Sequence, residues 1–142
     1  MTRGATKTRP GRRRLRRDRE AQAVTIRRRL LLLAEGPTDE PATWRAVADR
    51  FGIDVYELRL PLSETGYYRR RDSYPYGSII SVNTAHDPST QSAIWVHELA
   101  HHLLHEARPQ LPYEEFARHS YDDETRSAAH QIACRVERLM LG

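Results

Sequence analysis

Cysteine is nearly absent from this sequence: the 142 residues hold one, Cys134. A single cysteine excludes an internal disulfide framework and any cysteine-built zinc ribbon, and it suits a reducing compartment. Set in the helical pattern AAHQIACRV, it is expected to be a small buried core residue. Long apolar runs are lacking as well. The longest is Leu30–Ala34, far too short to span a bilayer. The basic N-terminal stretch is not followed by an apolar segment and a small-residue cleavage site, so a cytoplasmic protein with no membrane contact is expected. No internal repeat is visible.

Acidic residues are scarce at one end only. Residues 1–29 hold 12 Lys and Arg against 2 Asp and Glu, a net +10, and the rest hold 11 against 17, a net −6. The first twenty residues, MTRGATKTRPGRRRLRRDRE, carry like charges and almost nothing apolar. Such a stretch gains too little burial to offset its ordering entropy, so residues 1–20 are expected to be a disordered tail and 21–142 one folded domain. A tail of this kind fits either a solvated extension or nonspecific contact with nucleic-acid phosphates.

The remaining pattern is α+β. Ala21–Ala34 reads as a helix. Pro41–Phe51 reads as a second, with Trp44, Val47, Ala48 and Phe51 on one face and Gly52 as the stop. Asp54–Leu60 alternates like a strand. Gly66–Arg70 and Ser78–Val82 are two more strands, joined as a hairpin through DSYPYG. A small, mostly antiparallel three-stranded sheet is therefore expected. Asp87 and Pro88 open a long helix as N-cap and first residue, ending near Glu106, and a last helix starts near Asp122 with three acids in its first turn.

The long helix carries WVHELAHHLLHE, with four of the seven histidines. At about 100° per residue, His101 falls about 40° from His97, Glu98 about 100° and His102 about 140°. Two imidazoles one turn apart can converge on one ion, and Glu98 between them can act on a water there without being a ligand. His105, two turns from His97, is read as a core-edge residue and His102 as a surface one. Zinc held by two histidines and a water lacks one protein ligand. The acids Asp122, Asp123 and Glu124 of the last helix are the candidates.

At this point the chain resembles the ImmA/IrrE family of zinc metallopeptidases. The resemblance is carried by RAVADRFGIDVYELRLP, GYYRR, SIISVN and above all AIWVHELAHHLLH followed by DDETRSAAHQIA. Thr125 and Arg126 stand where the family has Ala and Asn. The resemblance implies a zincin-like fold, with the sheet packed on an HExxH helix and further helices. It implies Zn2+ held by His97, His101 and Glu124, with Glu98 as general base. It also implies an endopeptidase acting on a transcriptional repressor, often of a phage or mobile element, or on another regulatory protein. Tyr113, His119 and Tyr121, between the two site helices, are candidate oxyanion donors, and Ser78–Val82 is the expected edge strand for the substrate backbone. The competing expectation is a regulatory protein without proteolysis, using zinc structurally and binding nucleic acid through its arginine tail.

Overall fold

A computed structural model gives the arrangement of residues 3–71, 77–107 and 123–141, with the side chains of the first and last helices described only in part. In chain order the elements are α1 (Arg3–Leu33), α2 (Pro41–Arg50), β1 (Asp54–Leu58), β2 (Gly66–Arg71), β3 (Gly77–Asn83), α3 (Pro88–Ala107) and α4 (Asp123–Leu141). The fold is α+β.

Helix α1 starts at Arg3 and not at Ala21, so the stretch expected to be disordered is helical backbone from its third residue. Arginine, leucine and alanine are good helix formers, and from Arg19 onward α1 is tied to α4. Arg19 donates to Gln131 at 2.6 Å, Arg135 donates to both carboxylate oxygens of Glu20 at 2.8 and 3.1 Å, and Arg27 donates to the Leu139 carbonyl at 3.3 Å. Ala23, Ile26 and Leu30, spaced as one helical face, are buried beneath these contacts.

Helix α2 buries Trp44, Val47 and Ala48, and the Trp44 indole donates to the Thr38 carbonyl at 2.9 Å. It closes at Phe51, and Gly52 takes the left-handed conformation (φ 73°) that ends the helix and turns the chain into β1.

The sheet has the order β1-β3-β2. β2 and β3 form the expected antiparallel hairpin, but β1 runs parallel to β3, so the sheet is mixed and not mostly antiparallel. The strand expected at the edge, Ser78–Val82, is the central one. Its residues are buried on both faces from Ser78 to Asn83, whereas β1 is exposed at every position but Val55. Apolar side chains on both faces, here Ile79 on one and Ile80 and Val82 on the other, are the mark of an interior strand.

Asn83 makes this order workable. Its side chain accepts from the amides of Leu60 and Ala85 and donates to the carbonyls of Leu60, Pro61 and Glu64. One buried amide thereby satisfies the loop that carries the chain from β1, past β3, to the far edge. β2 then begins at Gly66, where a Cβ would lie 2.3 Å from the Ser81 carbonyl oxygen and 2.8 Å from Ile94 Cγ2. Only glycine lets this strand start so close to α3.

Candidate metal centre and active site

Asp87 caps α3, accepting from the Thr90 amide at 2.8 Å, and hydrogen bonding from Thr90 holds the Asp87 carboxyl below its usual range. The helix then passes through the middle of the molecule. α1, α2, α4, β2 and β3 all pack on it. Val96, Leu99, Ala100, Leu103 and Leu104 are buried, as the helical wheel requires. With neighbours on so many sides, two histidines are buried as well. His105 lies in the core at 4% exposure, and His102, expected at the surface, is 5% exposed.

His102 is packed between the rings of Phe51 and Tyr68, and its Nδ1 is 2.9 Å from the Tyr68 hydroxyl, which also meets Ser78 Oγ at 2.7 Å. Its Nε2 faces Glu106 at 3.5 Å. This pins β2 to α3. Burial first, then the cations Arg70 and Arg29 and the neighbouring His105, pushes the His102 imidazole down to about 4 from 6.5. The unfolded chain therefore takes up the proton first as pH falls. Stability should drop from pH 6.5 toward pH 4, by up to about 3 kcal/mol at 1.36 kcal/mol per pKa unit. Urea unfolding of the metal-free chain at pH 7 and pH 4 checks this: His102→Gln should lose less stability between the two than the parent does.

His97, Glu98 and His101 open onto a cleft of about 490 Å³. One wall is the β2 edge from Thr65 to Tyr68, and the other is α4. The His97 and His101 ring centroids are 4.9 Å apart. Imidazoles bound at about 2.0–2.1 Å to one tetrahedral zinc have centroids about 5 Å apart, so the pair fits that ion. Glu98 is 7% exposed, and burial pushes its carboxyl up to about 7, with Glu137 adding to the rise and His97 opposing it. A carboxylate poised near neutrality is what a general base needs.

The α4 wall holds three residues that sequence reasoning missed: His130, Cys134 and Glu137. The His130 ring lies 5.0 Å from that of His97 and 6.3 Å from that of His101. Cys134 Sγ is 3.4 Å from His130 Nε2, and His97 Nδ1 is 3.2 Å from Glu137 Oε1. Cys134 is thus half-buried on the cleft and not inside the core. The signal was present: on an α4 whose Ala129, Ile132, Ala133 and Val136 face inward, positions 130, 134 and 137 form a separate polar stripe at helical spacing. As a thiol–imidazole pair, His130 and Cys134 make a poor nucleophile, because burial and the Glu137 charge push the thiol pKa up.

Glu124 and Asp123 lie on the α4 backbone, but their side chains fall outside the described residues, as do Asp122, Tyr113, His119 and Tyr121 altogether. No helix among the described residues is long and apolar enough to cross a membrane. A family model, Peptidase_M78, described as the IrrE N-terminal-like domain, matches residues 48–136, from α2 through most of α4. No curated protein and no solved structure matches the chain.

Proposed function

Because the chain belongs to the IrrE N-terminal-like peptidase family, we propose that it is a zinc-dependent endopeptidase of regulatory proteins, with a DNA-binding repressor as the substrate class. The observation that carries this reading is the joint opening of His97, Glu98 and His101 onto one cleft walled by a strand edge. When bound there, zinc lowers the pKa of water and polarises the scissile carbonyl.

The protein's own residues supply the rest. His97 and His101 hold the ion, and Glu137 on His97 Nδ1 fixes the imidazole proton there, leaving Nε2 free to bind. The family pattern assigns the third ligand to Glu124, with Asp122 and Asp123 as alternatives. Glu98 takes the proton from the attacking water and hands it to the leaving amine. The substrate backbone pairs with β2, whose outer edge carries no strand among the described residues and whose start lines the cleft. Tyr113, His119 and Tyr121 are the candidate donors to the oxyanion.

Arg13, Arg14, Arg16 and Arg17 are exposed on α1 ahead of its first contact with α4, and this supports a second, nonspecific contact with nucleic-acid phosphates. One experiment addresses both. The purified chain, with and without residues 1–18, is incubated with a panel of repressor proteins, whose fragments are read by mass spectrometry, and with a DNA duplex, whose retention is read by gel shift. Cleavage that stops on adding a zinc chelator and survives removal of residues 1–18, with duplex retention that does not survive it, is the expected result. Cleavage unaffected by the chelator would exclude the metallopeptidase.

A further inference from the structure

The reading above takes its ion ligands from α3 and the acids at the start of α4, and leaves the cleft-facing stripe of α4 unused. That stripe repeats the chemistry of α3. His130 and Cys134 stand four residues apart on α4, as His97 and His101 do on α3, and the two helices pack face to face. The donor atoms of His97, His130 and Cys134 all lie within 4.8 Å of one another. The third imidazole, His101, has its centroid 4.9 Å from His97 and 6.3 Å from His130. Donors around one tetrahedral zinc at bond lengths of about 2.0–2.3 Å are separated by about 3.3–3.7 Å, so the His97, His130 and Cys134 donors need only draw together, while the exposed His130 ring must also swing toward His101 from its 6.3 Å centroid separation.

We propose that the two pairs close around one divalent cation, with His97 and His101 from α3 and His130 and Cys134 from α4, so that the resting chain holds its ion in a four-residue cage. Three imidazoles and a thiolate form a ligand set that zinc takes up readily, and four protein ligands leave it no open position. The Cys134 proton is released to solvent as the sulfur binds. Position 124 lies six residues before His130, about 9 Å along the α4 axis and about 120° around it, so one register of α4 cannot bring both to the same ion. The inference rests on the metallopeptidase reading, puts His130 in the place of Glu124 as third ligand, and adds a control: hydrolysis proceeds only in the fraction of chains from which Cys134 has left the ion, where three imidazoles and an open position remain.

Cobalt(II) tests this on the full chain, because thiolate ligation gives a sulfur-to-cobalt charge-transfer band in the near ultraviolet that nitrogen and oxygen ligands do not. The parent chain should take up cobalt and show that band together with the intense visible absorption of a four-coordinate ion. Cys134→Ala and Cys134→Ser should both bind cobalt and both lose the band, and Glu124→Ala should keep it. Cobalt bound by the parent without the band, or a band that survives in Cys134→Ala, overturns the cage and leaves the peptidase reading intact. A parent chain that binds no cobalt overturns both.

Discussion

Glu98→Gln is expected to lower the rate of peptide cleavage by about 10²–10⁴-fold, the contribution typical of a positioned acid–base group, while metal content stays at the parent level. The substitution keeps the size of the side chain and its place on α3, between two histidines that it does not ligate with. It removes the buried carboxylate of the cleft, which burial pushes up to about 7. It also removes a buried ionisable group, so the variant should unfold no more easily than the parent. Single-turnover cleavage with matched metal analysis checks the point. Loss of activity together with loss of metal would instead make Glu98 a ligand or a structural residue.

Trp44→Ala should cost about 3–5 kcal/mol, the usual cost of emptying a large buried aromatic site. Trp44 is fully buried, and its indole also satisfies the Thr38 carbonyl that precedes α2. Stability of a domain this size is on the order of 5–15 kcal/mol, so this one change removes a large share of it. Urea unfolding of the metal-free variant, followed by circular dichroism, gives the number. A loss below about 1 kcal/mol would mean that α2 does not dock as described.

The helices and the closeness of His97 to His101 were the most legible parts of the chain, because their signals are local. The spacing of Trp44, Val47 and Ala48, the Asp87-Pro88 start and the four-residue step from His97 to His101 each lie within a few turns of backbone. What escaped depends on neighbours distant in sequence. His102 sits on the polar side of a wheel that assumes one buried face, yet α3 has packing partners on nearly all sides, so the imidazole is enclosed by Phe51 and Tyr68. The order of the strands was misjudged because hairpin chemistry joins β2 to β3 locally, while the parallel pairing of β1 with β3 depends on Asn83 holding the intervening loop. Ile79 and Ile80, adjacent and therefore on opposite faces, already pointed to an interior strand. His130 and Cys134 were readable as an i, i+4 pair, but nothing local indicated that α4 would turn them toward His97.

Zinc content is the most direct measurement. Elemental mass spectrometry of the purified chain, after zinc is added and excess removed, should find about one ion per molecule in the parent and in Glu98→Gln, and far less in His97→Ala, as expected for a site built on the α3 pair. A parent chain that retains no metal under these conditions would contradict the account and leave WVHELAHHLLHE as a polar turn of an otherwise buried helix.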